Sequence, residues 1–179
     1  MDRTDLARAI REAAFLTGEF RLRSGQTSSF YWDKYRFESR PQLLRAIAAE
    51  LARLLPEVDA DFDRLAGLEL GGVPLATALS LLVAKPVLFV RKQAKDYGTC
   101  NLVEGGFTPG ERVVVIEDVV TTAGQVIESV GRMREQGLAI SHVLCVIDRQ
   151  QGGREKLAAI ACELRSVFTL AELDQLAAR

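Results

Sequence analysis

Apolar residues at Leu6, Ala9, Ile10, Ala13, Ala14 and Leu16 recur at close to helical spacing with charged residues between them, which predicts a helix over 3–17 ending at Gly18. The pattern then changes to FRLRSGQTSSFYWDKYRF over 20–37, aromatic and β-favouring with a turn at Ser24 and Gly25, which reads as strand, loop and strand. A helix follows Pro41, with Leu43, Leu44, Ile47, Ala48, Leu51 and Leu54 on one face. Beyond it the chain alternates. A strand over 64–68, a turn at Gly71 and Gly72, a helix over 74–83 and a strand over 86–90 form one unit. A strand over 112–116, a helix over 124–136 stopped by Gly137 and a strand over 142–147 form the next. A short helix over 154–159, a strand over 163–168 and a helix over 170–178 complete the expected order.

Strands this apolar need cover on both faces, so alternation with helices predicts an α/β domain with a mainly parallel central sheet flanked by helices. In such sheets ligands bind beyond the carboxyl ends of the strands. Four of those ends carry unusual residues: ELGG, RKQAKDYG, EDVVTTAG and DRQQGG. No internal repeat or linker divides the chain, and residues 1–179 read as a single domain.

With 23 basic and 24 acidic side chains, the charge gives no bulk attraction to nucleic acid or an anionic membrane, so any anion site must be local. Cys100, Cys145 and Cys162 are odd in number and far apart, which argues against disulfides or a zinc site and suits a reducing cytoplasm. MDRTDLARAIREAAF is amphipathic with early acids, neither signal peptide nor membrane span. The lone His142 has no partner for a nucleophilic triad, and neither phosphate-binding glycine fingerprint is present.

The stretch VVVIEDVVTTAGQ sets two acids before a loop suited to an anion. At a helix start, Thr121 to Gly124 would present backbone N–H groups and hydroxyls to a phosphate, with the helix dipole in support. An ordinary threonine N-cap is the competing reading. Carboxylates repel phosphate, so Glu117 and Asp118 must face another part of the ligand. A ribose fits, since its hydroxyls donate and its anomeric carbon becomes oxocarbenium-like on losing a substituent; one acid is alternatively in a structural salt bridge.

Arg91, Lys92 and Lys95 open a long, glycine-containing loop expected to be mobile and suited to closing on a charged leaving group, although a solvated loop is the blander reading. Phe30, Tyr31 and Trp32 offer faces for a planar base or for the core, and alternation turns at least one of Tyr31 and Trp32 inward. Arg149 fits a forked pair with a ligand carboxylate, or equally an ion pair with Asp148.

Taken together, LRSGQTSSFYWD, GGVPLATAL, RKQAKDYGTCNLVEGG, VIEDVVTTAG and VIDRQQGG resemble, in order, the orotate phosphoribosyltransferases of the type I phosphoribosyltransferase family. The resemblance implies that family's α/β fold, with a small N-terminal hood over about 1–40. It also implies transfer of the phosphoribosyl group of phosphoribosyl diphosphate (PRPP) to orotate, giving orotidine 5'-phosphate and diphosphate in pyrimidine biosynthesis. Lys95, Asp118 and Glu117 would be catalytic. PRPP would be held by Arg23, by Gly71 and Gly72, by Arg91, Lys92 and Lys95, and by Glu117, Asp118, Val119, Val120, Thr121, Thr122, Ala123, Gly124 and Gln125. Orotate would meet Tyr31, Trp32, Thr121 and Arg149. Mg2+ would be carried by PRPP and water with no direct protein ligand, and a cytoplasmic homodimer would share its active sites through the loop. Related readings are a transferase for another base and a non-catalytic PRPP-binding regulator. The chain departs from the family pattern at Ser29, Tyr97, Cys100 and Asn101, and at Ala123, where glycine is usual and a methyl would crowd the phosphate or require another backbone path.

Overall fold

The computed structural model describes residues 1–21, 25–58, 61–93 and 102–178. Helix α1 (Arg3–Ala14) is capped by the Asp2 side chain, which accepts from the Asp5 N–H. It ends four residues before the expected stop at Gly18, because Phe15 turns extended and starts β1 (Phe15–Arg21). β1 pairs antiparallel with β2 (Thr27–Trp32), so the two-stranded unit begins earlier than its aromatic composition indicated. The second expected strand is thus present but stops at Trp32, short of Phe37, and the tail of the segment is not extended. That tail folds into the one-turn helix α2 (Tyr35–Glu38), anchored by the buried Phe37.

The main sheet contains β3 (Arg64–Leu68), β4 (Val87–Val90), β5 (Val103–Glu104), β6 (Arg112–Val120), β7 (Ala139–Asp148) and β8 (Glu163–Thr169), in the order β5-β4-β3-β6-β7-β8. All pairings are parallel except that of the short edge strand β5, which was not expected and pairs antiparallel with β4. The mainly parallel sheet is therefore as anticipated.

Two apolar cores clasp this sheet. Val114, Ile116, Leu144 and Val146 face one core with α1, α3 (Pro41–Val58), α4 (Gly72–Val83) and α7 (Leu170–Ala177). Val113, Val115, Val143 and Cys145 face the other with α5 (Gly124–Glu135) and α6 (Gly153–Ala158). Because side chains alternate along a strand, each strand must be apolar on both sides to fill both cores, which is why four branched residues, Val113 to Ile116, follow Arg112 in β6.

β6 runs four residues past its expected end and carries Glu117 and Asp118 inside the strand. Its face assignment reverses there: even positions serve the first core up to Ile116, whereas Val119 packs on the first core and Val120 enters the second. The backbone N–H groups of Asp118 and Val119 bond to the side-chain oxygens of Glu117 and Asp118, respectively. The acids thus sit at the point where the strand stops being purely structural.

Candidate active site

The ends of β3, β4, β6 and β7 converge, as expected for a parallel sheet, on two adjoining cavities. The smaller, about 190 Å³, is lined by Trp32, Lys34, Val119, Thr121, Ile147, Arg149 and Leu170. It has apolar walls with two cations and a hydroxyl, the composition that a small planar anion requires. The larger, about 450 Å³, is bordered by Glu69, Leu70, Lys92 and Glu117 and by the continuous run from Val119 to Val126. Lys34, Val119 and Thr121 line both.

The TTAG loop has the geometry of an anion site. Ala123, not a threonine, occupies the N-cap of α5, and no side chain caps the helix, so the threonine-cap reading does not apply. The first-turn residues Gly124 and Gln125 border the larger cavity, where uncapped N–H groups suit an anion. Ala123 takes a left-handed backbone, φ 58°, ψ 10°, the conformation that glycine adopts at no steric cost. Its residue is only 5% exposed and belongs to the second core, which takes up the methyl. The chain thus keeps the backbone path of a glycine loop.

The two acids divide. Glu117 borders the larger cavity, whereas Asp118 is fully buried and lines neither. The Lys34 ammonium lies 2.6 Å from Asp118 Oδ2. Burial, then the hydrogen bond and charge of Asp118, push the Glu117 carboxyl well above the usual range. Burial also acts against the charged form of Asp118, but the hydrogen bond from Glu117 and the charge of Lys34 outweigh it and lower its pKa. Lys34 is itself raised: burial opposes its charge, and Asp118 more than restores it. The pair therefore holds one negative charge rather than two, matched by one ammonium. This removes much of the repulsion that two carboxylates beside a phosphate loop would exert.

A third acid completes the cluster. Glu38, 5% exposed, has its pKa raised to about 8 by burial, then by the charge and hydrogen bond of Asp118. A Cβ at Gly71 would lie 1.7 Å from Asp118 Oδ2 and 2.8 Å from Glu38 Oε1, and one at Gly72 would lie 2.3 Å from the Ile116 carbonyl oxygen. Both glycines are buried and admit this close packing, while Leu70 beside them borders the larger cavity.

The remaining expected site residues are dispersed. Trp32 packs on the first core and walls the smaller cavity, but Tyr31 is 44% exposed, borders neither cavity and pairs with the Phe20 ring. Lys92 borders the larger cavity. Arg91 instead faces Glu104 at 3.5 Å in a third recess with Val73 and Phe89. Arg149 is not the ion-pair partner of Asp148. That partner is Arg154, at 3.0 Å, which leaves Arg149 to the cavity. Arg23 and Lys95, with Tyr97, Cys100 and Asn101, lie outside the described residues.

Sequence reasoning passed over Lys34, Glu38, Glu69 and Arg154. A charged residue closing an aromatic strand and a second one helical turn later were the available signal for Lys34 and Glu38.

Residues 36–167 match the family model described as the phosphoribosyl transferase domain. The chain is 50% identical over 169 residues to an orotate phosphoribosyltransferase of a Nocardioides species, covering 94% of this chain and 93% of that relative. Among solved structures, the orotate phosphoribosyltransferase of Aeropyrum pernix is 33% identical with a TM-score of 0.83, over 95% of this chain and 96% of that one. That of Mycobacterium tuberculosis in complex with PRPP is 30% identical with a TM-score of 0.79, over 97% and 99%.

Proposed function

The chain belongs to the orotate phosphoribosyltransferase family, and from that premise we propose that its two adjoining cavities hold orotate and PRPP side by side. The enzyme transfers the phosphoribosyl group of PRPP to orotate, yielding orotidine 5'-phosphate and diphosphate in pyrimidine synthesis. The observation that carries the site assignment is the shared wall: Lys34, Val119 and Thr121 border both cavities, so ligands filling them meet at one point.

In this reading the uncapped start of α5 receives the 5-phosphate, with Thr121, Thr122, Ala123, Gly124 and Gln125 around it. Glu117 faces the ribose and accepts or donates at its hydroxyls. As the anomeric carbon gains positive charge, the negative charge retained by Glu117 and Asp118 stabilises it from beneath. Asp118 acts from burial, without touching the sugar in this arrangement. Lys92 meets the diphosphate, and Lys95 is assigned the same task by resemblance. Trp32 walls the orotate ring, Thr121 bonds its edge and Arg149 pairs with its carboxylate.

Mg2+ belongs to the proposal as the counter-ion of diphosphate, keeping water ligands, as this ion prefers. The Glu69 carboxylate at the cavity wall suits such waters as an acceptor. A second copy of the chain is also part of the proposal. Leu81, Leu82 and Phe89 are exposed on α4 and β4, and large apolar side chains left in water suit a partner surface. A cytoplasmic setting suits the free, buried Cys145 and Cys162.

Loss of orotate absorbance with PRPP and Mg2+, run beside uracil, hypoxanthine and adenine, tests the assignment. Orotate is the expected substrate, and Arg149→Gln is expected to raise its KM by about 10-fold or more, the effect of one charge-assisted pair. Turnover of a purine without orotate, or an unchanged KM in the variant, would overturn the placement.

A further inference from the structure

Among the described residues, Lys34 is the only charged side chain that borders both cavities. Its position is set from below by a construction unrelated to the phosphate loop. Lys34 is the N-cap of α2 and Glu38 its last residue, so one helical turn carries both, and the Glu38 N–H bonds to the Lys34 carbonyl. The buried Phe37 fixes that turn in the first core. Both side chains then reach the same carboxylate. Lys34 Nζ meets Asp118 Oδ2 at 2.6 Å, and Glu38 Oε1 shares the space over Gly71 with that same oxygen. Glu38 Oε1 is buried without a hydrogen-bond donor from the rest of the protein, an arrangement that is costly for a carboxylate and satisfied when the Glu38 carboxyl carries a proton and donates to Asp118. The Lys34 side chain is still 35% exposed, so its ammonium reaches the cavities while Asp118 does not.

We propose that Lys34 contacts both substrates where the two cavities meet, with Glu38 as the positioning residue that holds it there through Asp118. This rests on the placement of orotate and PRPP given above. Both substrates are anions, and a fixed cation between them offsets their mutual repulsion and favours the second once the first is bound. In the absence of substrate the same cation neutralises Asp118. Without Glu38 as donor, Asp118 would compete for a larger share of the ammonium and draw it down from the junction.

Steady-state kinetics of the wild type, Lys34→Met, Lys34→Arg, Glu38→Gln and Glu38→Leu test this, with Arg149→Gln as the reference for the site itself. Lys34→Met is expected to raise the KM of orotate and of PRPP together by about 10-fold or more, the loss of a charge-assisted contact. Lys34→Arg should recover part of that loss in both. Glu38→Gln, whose amide still donates to Asp118, should stay within about 3-fold of the wild type at neutral pH, while Glu38→Leu follows Lys34→Met.

The pH profile separates positioning from mere support. The groups acting on Glu38 are Lys34 and Asp33 around α2 and Asp118 on β6; Tyr35 acts on Lys34, and Glu117 on Lys34 and Asp118. Glu38 is neutral below about pH 8 and ionised above it, so wild-type kcat/KM should fall through that value, and the fall should vanish in Glu38→Gln. An alkaline fall that persists in Glu38→Gln would belong to Glu117 or another group and would overturn the role given to Glu38. Lys34→Met with both KM values unchanged, while Arg149→Gln raises that of orotate, would sink the Lys34 contact and leave the site standing. No effect from either would remove the site assignment and this proposal with it. Circular dichroism of each variant identifies any that fail to fold, in which case Lys34→Arg and Glu38→Gln decide.

Discussion

At the scale of single residues, Ala123 shows how a chain keeps a glycine backbone without glycine. Holding alanine at φ 58° costs about 1 kcal/mol. Burying its methyl returns roughly 0.8 kcal/mol, and the smaller conformational freedom of alanine in the unfolded chain adds about 0.4–1 kcal/mol. The terms nearly cancel, so Ala123→Gly should move the urea midpoint by the equivalent of no more than about 1 kcal/mol. Because the second core receives the methyl, the KM of PRPP should change by less than about 2-fold; a large fall would show that the methyl crowds the phosphate after all. The same scale answers the conflict between two acids and an anionic ligand. Glu117 and Asp118 are adjacent in sequence, but only one keeps its charge, since burial and their mutual hydrogen bond favour a shared proton.

At the scale of elements, the turn from β7 into α6 is built to present Arg149. Asp148 is 1% exposed; its carboxylate accepts from the Gln150 N–H and pairs with Arg154, whose guanidinium also donates to the Leu164 carbonyl. The Arg149 N–H bonds to the Val120 carbonyl. A Cβ at Gly153 would lie 2.6 Å from the Thr121 carbonyl oxygen, so this turn rests directly on the loop after β6. Removing the partner of a buried carboxylate loosens whatever it holds. Arg154→Met is therefore expected to raise the KM of orotate several-fold, about 3- to 10-fold, with little change for PRPP, as read by varying each substrate in turn. An equal effect on both would place Arg154 in general stability instead.

At the scale of the whole molecule, the two cores leave an apolar face that they do not use. Leu81 is 82% exposed and Leu82 52%, at the end of a helix whose mate in the first core is α3. Large aliphatic side chains left in water favour a partner surface. Replacing both, Leu81→Lys with Leu82→Lys, should shift sedimentation from dimer to monomer and reduce activity at low enzyme concentration, while circular dichroism stays unchanged. A wild type that sediments as a monomer at all concentrations would sink the shared-site dimer. No helix among the described residues is long and apolar enough to cross a membrane.

How much could be read without coordinates depends on the range of the interaction concerned. Apolar periodicity and glycine punctuation are local, and they determined the mainly parallel α/β sheet, the bounds of β3 and the place of the loop between β6 and α5. The short α2 and the edge strand β5 escaped because a single turn and a two-residue strand carry too few positions for a period to register. The candidate acids and Arg149 were legible as residue types at strand ends. Their states were not. Whether Arg149 paired with Asp148 or faced a cavity depended on Arg154, and which of two adjacent acids stayed charged depended on Lys34 and Glu38, some 80 residues earlier in the chain. By itself the sequence determined which chemistry was available and at which end of the sheet. Only the tertiary structure decided which side chains hold the charge, because desolvation and Coulomb energy depend on distances in space and not on separation along the chain.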